Sequence, residues 1–244
     1  MDSPLVINEN SYQEAWISAA RSLKANRWET WNLIAQIDDP SIFNSLIHES
    51  VSSFSVAQGL LTPKHVACTI FPYRLYDRVG TANGVFSRYN KRLYPWTKKA
   101  LPASWGTYFH RMIHYPNHKS EVPINQLKNV IDAINSRTIT FRAAYTILIQ
   151  KPGSETLRVE GGPCLNYLAL QLEPGSPRTL SLFAVYRNHE FLERAYGNYM
   201  GLCKLQAFLA KETNSDIGRL TCISSHAYVK GKKRALSSLL ASLP

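Results

Sequence analysis

Acidic residues are scarce in this chain of 244 residues. Asp and Glu together number 17 against 28 Lys and Arg, which gives a net charge of +11. Such an excess attracts phosphate-bearing partners, and it suits either a nucleic-acid surface or a funnel for small anionic substrates. The chain has no zinc-finger spacing, RNA-recognition signature or helix-turn-helix pattern. A polymeric nucleic acid is therefore the less favoured alternative.

Long apolar runs are missing as well. No stretch reaches the roughly 18 apolar residues that a membrane-spanning helix requires, so we expect no membrane partner. The first residues, Met1-Asp2-Ser3-Pro4, are not typical of a signal peptide. The sequence therefore predicts a cytoplasmic protein.

Metal-ligand and disulfide patterns are also absent. The 4 cysteines form neither a CxxC pair nor a zinc-ligand spacing, which argues for reduced thiols in a cytoplasmic setting. His110, His114 and His118 recur at four-residue spacing, but Pro116 interrupts them and no acidic residue stands beside them. We therefore expect no bound metal.

What the chain does have is enough apolar material for a large core. Hydrophobic residues make up 45% and charged residues 18% of the sequence, a balance typical of globular rather than disordered chains. We find no internal repeat and no low-complexity linker. The length suits a single domain over residues 1–244.

Apolar spacing predicts the elements of the first half. Helices are expected over residues 11–24, 40–54 and 123–134, with Asp39 or Ser41 as the cap of the second. The run His65–Phe71, which stops at a proline, predicts a strand.

The second half alternates between strands and one long helix. Strands are predicted over residues 138–149, 157–172, 178–186 and 220–229, and a helix over residues 190–211. Together with the first half, this order indicates an α+β domain with a large mixed sheet covered by helices.

Four short motifs follow one another in the second half. They are Gly161-Gly162-Pro163-Cys164, Arg187-Asn188-His189-Glu190, Asn198, and His226-Ala227-Tyr228. In this order and spacing the chain resembles the thymidylate synthase and pyrimidine nucleotide hydroxymethylase superfamily, in which a Pro-Cys pair, an Arg-Ser-x-Asp run, an Asn and a His-x-Tyr form the nucleotide site. The resemblance implies that superfamily's fold, a large mixed sheet covered by helices on one face.

The resemblance implies three catalytic residues. Cys164 would be the nucleophile, because a thiolate adds readily to C6 of a pyrimidine and leaves readily, which activates C5. A nearby arginine would be needed to lower the pKa of that thiol. Glu49, in the segment Ile47-His48-Glu49-Ser50, would be the general base. Tyr108, close after Trp105-Gly106, would stand near the position of the family's catalytic tyrosine.

It also implies the residues that bind the substrate. Arg187 and Arg137 would hold the phosphate, since a guanidinium matches phosphate geometry, and the family's equivalent of Arg137 reaches into the partner subunit's site. Asn198 would read the pyrimidine edge. His226 and Tyr228, on one face of a strand, would bind the sugar. Asn188 and Glu190 occupy the positions of the family's Ser and Asp.

The implied activity is transfer of a one-carbon group from 5,10-methylenetetrahydrofolate to a uridine or cytidine monophosphate by a homodimer. Two alternatives stay open. One is a degenerate synthase-like protein that binds nucleotides or assembles with a partner without turnover. The other is a nucleic-acid binder that uses the basic and aromatic segment over residues 88–99.

Overall fold

A mixed β-sheet forms the centre of the computed structural model, which describes residues 3–100, 105–136, 145–152 and 162–244. In these residues the strand order is β1-β2-β7-β5-β4-β3, with β6 beside β7. The pairs β1/β2, β5/β7 and β6/β7 are parallel, and the others are antiparallel. The predicted α+β class is thereby confirmed. The strands are β1 Leu5–Glu9, β2 Glu29–Ile37, β3 Tyr145–Leu148, β4 Leu165–Glu173, β5 Thr179–Tyr186, β6 His189–Glu190 and β7 Asp216–Tyr228.

Helices pack around this sheet. The first begins with a capping box, in which Ser11 Oγ accepts the N–H of Glu14 and the Glu14 carboxylate accepts the N–H of Ser11. None of the described helices is long and apolar enough to cross a membrane. They are α1 Tyr12–Ala25, α2 Ser45–Ala57, α3 Pro63–Ile70, α4 Tyr73–Val79, α5 Ala82–Arg88, α6 Tyr94–Ala100, α7 Tyr108–Ile113, α8 Gln126–Asn135, α9 Ala195–Glu212 and α10 Lys233–Ser242, with a π-helical segment Tyr89–Leu93 joining α5 to α6.

The long helix α9 is the centre of the helical packing, and it lies very close to α3. A Cβ atom on Gly197 would come within 2.5 Å of Val66 Cβ, and one on Gly201 within 2.9 Å of the Ala67 carbonyl oxygen. Side chains at either position would force the two helices apart, because such contacts are shorter than packed atoms tolerate. The two glycines therefore set the distance between α3 and α9.

Two predictions for the first half were wrong. The run His65–Phe71 is not a strand but most of α3, because a short apolar run fits a buried helix as well as a strand, and here Val66 and Ile70 face inward. Helix α2 starts at Ser45, and its cap is Asn44, whose Oδ1 accepts the N–H groups of Leu46 and Ile47. The expected caps, Asp39 and Ser41, lie in the preceding turn.

Strands β1 and β2 were not predicted. β1 precedes α1 and β2 follows it in the chain. The two strands pair in parallel, so that β1, α1 and β2 form a βαβ unit at one end of the sheet. The first half of β2 is largely exposed and contains Asn32 with a φ of +55°, which hides the alternation typical of strands. Because β2 precedes α2, the helix that contains Glu49 follows a strand.

The two faces of the sheet differ in burial. Ala35, Cys222 and Ala184 are neighbours across β2, β7 and β5, and each has 0% of its surface exposed. The residues that alternate with them are only half-buried or exposed. One row of these is entirely apolar and crosses the sheet from edge to edge. This row, the open-face stripe, consists of Val6, Ile34, Ile223, Val185, Tyr167 and Leu148.

Candidate active site

Cys164 lies immediately before β4, where its backbone is held from two sides. Its N–H donates to the Tyr108 hydroxyl at 3.2 Å, and its carbonyl accepts the N–H of Arg187 at 3.0 Å. The Arg187 side chain also donates from Nε to the Pro163 carbonyl at 3.1 Å. The structure therefore brings together three residues that the sequence predicted for the site, Cys164, Tyr108 and Arg187.

The environment of the Cys164 thiol contains opposing influences. Burial raises its pKa, while the guanidinium groups of Arg187 and Arg194 lower it. The net direction is upward, so the protonated thiol predominates at neutral pH and the two arginines stabilise the thiolate that forms from it. Arg194 was not predicted. It stands four residues before Asn198, and that helical spacing is the pattern that could have drawn attention to it.

A tight turn before α7 positions Tyr108. Gly106 has a φ of +85°, and a Cβ atom there would lie 2.5 Å from the Tyr94 hydroxyl oxygen. Thr107 then caps α7 by accepting the N–H of His110 at 3.1 Å, and it shares a hydrogen bond with the Tyr89 hydroxyl at 2.7 Å. Burial raises the pKa of Tyr108 to about 12, so its hydroxyl keeps its proton and remains a donor.

A buried hydrogen-bonded chain surrounds Asn198. The side chain, 4% exposed, donates from Nδ2 to His189 Nε2 at 3.1 Å, and His189 Nδ1 lies 2.9 Å from Ser224 Oγ. Burial lowers the pKa of His189 to about 3, so the ring is neutral and donates from Nδ1 to Ser224. Among the described residues, the amide oxygen of Asn198 has no hydrogen-bond partner, which leaves an acceptor for a ligand.

His226 connects β7 to β2 and to the Arg187–Glu190 segment. Its Nδ1 lies 2.9 Å from Asn188 Oδ1 and its Nε2 2.6 Å from Glu29 Oε1. The ring stacks between Trp31 at 4.3 Å and Tyr228 at 5.1 Å between centroids. Glu29 and Trp31 escaped prediction because they reach His226 only through the pairing of β2 with β7.

Glu190 is occupied by backbone groups. Its carboxylate accepts the N–H groups of Leu192, Glu193 and Lys230 at 3.0, 2.7 and 3.2 Å. Burial raises its pKa, and these hydrogen bonds oppose the rise. The residue predicted to bind substrate therefore also fixes the turn that leads into α9.

Apart from Tyr108 and Arg187, the predicted site residues make no described hydrogen bond or ion pair with Cys164. Within the described ranges these are Glu49, Asn188, Glu190, Asn198, His226 and Tyr228. Glu49 is exposed on α2, and its carboxylate makes no described hydrogen bond or ion pair with Cys164 or Tyr108. Arg137 lies outside the described residues, as does Gly161 of the first motif.

Other parts of the described structure offer little to the site. A pocket of about 330 Å³ is lined by Gln126, Asn129, Val130, Tyr145 and Thr146, none of which belongs to the predicted site. Within the described ranges, no group of three or more His, Cys, Asp or Glu could hold a metal ion.

Comparison with known proteins gave no family to which the chain can be assigned. No protein-family model matches the sequence, and no curated protein matches it.

Proposed function

We propose that this protein modifies C5 of a pyrimidine nucleoside monophosphate through a covalent adduct between Cys164 and C6, within a thymidylate synthase-like fold. One observation supports this most strongly. The Cys164 backbone is fixed by Tyr108 and Arg187, while the guanidinium groups of Arg187 and Arg194 favour the thiolate. A cysteine that only fills a core would need neither.

The proposed reaction begins when the Cys164 thiolate bonds to C6. The C5=C6 electron pair then makes C5 nucleophilic, and the accompanying charge rests on O4. C5 would then bond to the methylene carbon of the donor, whose bonds to the folate nitrogens break. Addition of water would give a hydroxymethyl group, and a hydride from the tetrahydrofolate would give a methyl group. The C5 proton passes to a base, for which the resemblance names Glu49. Breaking of the Sγ–C6 bond restores the double bond and the thiolate.

The remaining predicted residues bind the nucleotide in this proposal. Arg187 pairs with the phosphate, and the free acceptor of Asn198 takes an N–H of the base, either N3–H of uracil or the amino group of cytosine. Tyr228 presents its hydroxyl to the sugar. His226 binds the sugar when a sugar hydroxyl replaces Asn188 or Glu29 at one of its ring nitrogens.

The one-carbon donor would lie against Trp105. Its indole is half-buried, with its centroid 4.9 Å from that of the Tyr108 ring, and such an aromatic group at the edge of the site fits the flat ring system of a folate. Methylenetetrahydrofolate, when bound, would supply the one-carbon group to C5.

A 5-fluoropyrimidine nucleotide tests the proposal directly, because fluorine at C5 cannot leave as the proton does. Incubation with 5-fluoro-2′-deoxyuridine monophosphate and methylenetetrahydrofolate is expected to add the nucleotide to the peptide that contains Cys164, as seen by mass spectrometry. Cys164→Ser should lose the adduct. Cys68→Ser, which changes the other half-buried cysteine, should keep it.

A second candidate function is a nucleotide-binding protein without turnover. The exposed position of Glu49 favours this candidate, and binding and tritium-release measurements distinguish it from the enzyme. Tight binding of uridine or cytidine monophosphate without tritium release from C5 would support that candidate. A folded wild-type protein that neither binds these nucleotides nor forms the adduct would overturn both.

We further propose that a second copy of the chain covers the open-face stripe. An apolar row that crosses the sheet and is exposed at its ends, with Val6 at 62% and Leu148 at 46%, is typical of interaction surfaces. Face-to-face sheet packing buries such rows. It also agrees with the homodimer that the resemblance implies.

Ile223→Asp is therefore expected to convert a dimer into a folded monomer, because each interface would have to bury two unpaired carboxylates. Sedimentation velocity measures the mass, and circular dichroism checks the fold. Ser53→Asp, an exposed change on α2, which packs against α3 and α10, is the control and should remain dimeric. A wild-type protein that sediments as a monomer would contradict the proposal.

A further inference from the structure

The segment between Asp77 and Glu121 contains no acidic residue. Its α5, π-helical segment and α6 follow one another without a break over residues 82–100. Positive side chains along these helices therefore have no carboxylate on their own segment to neutralise them. The exposed ones are Arg88, Lys91, Arg92, Lys98 and Lys99.

Helix α6 adds exposed apolar and aromatic side chains to this charge. None of its residues is buried. Trp96 is 74% exposed, and Leu93, one turn earlier, is 40% exposed. Lys99 Nζ lies 5.7 Å from the centroid of the Trp96 ring, so a cation and a flat ring are presented together.

A stack of three rings continues the surface onto α7. The Tyr94 and His110 rings lie 3.5 Å apart at 4°, and His110 and His114 lie 4.8 Å apart at 21°. His114 is exposed. Burial, with smaller contributions from neighbouring cations that include Lys151 and Lys98, lowers the pKa of His110 to about 3, so this ring stacks as a neutral plate.

Lys151 brings a further cation to the same place. Its Nζ lies 3.4 Å from the His114 carbonyl oxygen and 5.7 Å from the centroid of the Tyr115 ring. Cations and flat rings thus lie together from α6 across α7 to Lys151, just past β3. We call this region the basic aromatic surface, made of residues 88–99 together with His110, His114, Tyr115 and Lys151.

We propose that the basic aromatic surface binds single-stranded nucleic acid. Such binding needs a track of cations for the phosphates and aromatic faces on which bases of any sequence stack. The absence of acidic residues removes the repulsion that a polyanion would meet. An anionic membrane is the poorer fit, because Leu93 and Trp96 do not make the broad apolar face of an interfacial helix. None of the described contacts of this surface involves Cys164.

Fluorescence anisotropy with a labelled single strand of about 12 nucleotides tests this inference. The wild-type affinity is expected to fall as salt rises from about 50 to about 200 mM. Trp96→Ala should weaken binding about tenfold without changing the salt dependence, since it removes a stacking face and no charge. The double variant Lys98→Glu/Lys99→Glu should reduce the slope of log affinity against log salt by about 1.4, because each lost phosphate contact accounts for about 0.7.

The control is Lys64→Glu/Lys233→Glu, which changes the net charge equally at exposed positions on α3 and α10 and should bind as the wild type does. Excess uridine monophosphate should not displace the strand. Equal weakening in the control, salt-independent binding or no binding would each overturn the inference. So would binding to anionic phospholipid vesicles alone, which would reassign the surface to a membrane.

Discussion

Arg187→Ala is expected to weaken nucleotide binding about 100-fold and to shift alkylation of Cys164 to higher pH. The first effect follows from losing charge-assisted hydrogen bonds to the phosphate, each worth about 1.5–3 kcal/mol. The second follows because the guanidinium lowers the pKa of the thiol, so its removal leaves burial less opposed. Calorimetry with deoxyuridine monophosphate and peptide-resolved iodoacetamide labelling measure the two effects.

Two companion variants separate charge from geometry. Arg194→Ala removes a second cation that acts on the thiol, but the hydrogen bond from Arg187 Nε to Pro163 remains. It should shift alkylation in the same direction while nucleotide binding changes less. Arg187→Lys keeps the positive charge but loses the planar set of guanidinium donors. This variant should bind the nucleotide more weakly than the wild type, and its Cys164 should be alkylated at nearly the wild-type pH. An Arg187→Ala protein with an unchanged labelling profile would refute the assigned role.

His189→Phe should lower the free energy of unfolding at neutral pH by about 2–6 kcal/mol. Phenylalanine keeps an aromatic ring against Tyr186, on which the His189 ring stacks with 4.1 Å between centroids and 1° between planes. Asn198 and Ser224 both lose their partner, and each orphaned buried group costs about 1–3 kcal/mol. Urea unfolding measures the difference, and His118→Phe at an exposed site should change little.

The same variant should also alter the response to acid. Burial lowers the pKa of folded His189 from 6.5 to about 3. Between pH 3 and pH 6.5, the unfolded chain therefore binds a proton at this residue and the folded chain does not. The contribution of neutral His189 to the free energy of unfolding is complete above pH 6.5. It is lost as the pH falls toward 3, at up to about 1.4 kcal/mol per pH unit. Phenylalanine removes this dependence. The two stability curves should therefore converge in acid, and parallel curves would contradict the assignment.

Strong local patterns were enough to predict part of the fold. Helix α1 and strand β5 were predicted almost to the residue, because burial there follows a helical or alternating period. Helix α9 was predicted to begin at Glu190 but begins at Ala195, since the Glu190 carboxylate binds backbone N–H groups in the intervening turn. No local sequence pattern predicts that turn.

The contacts of the candidate site were predictable only where its residues follow the motif order of the superfamily that the sequence resembles. Cys164 and Arg187 were proposed as neighbours in that way, and their backbones are hydrogen-bonded in the structure. Glu29, Trp31 and Ser224 were not, because their neighbours depend on how β2 and β7 pair and on how β6 lies beside β7. Such contacts are a product of tertiary register, which one sequence does not display.

The central position of β7 has a consequence for how the chain is made. β7 lies between β2 and β5, although residues 216–228 are synthesised after both. While the nascent chain grows, the β1-α1-β2 unit and the hairpin of β4 and β5 each expose an edge to which only β7 belongs. Unpaired edges invite contact with other chains. We therefore expect ribosome-bound chains that lack β7 to remain as two separate halves that depend on chaperones.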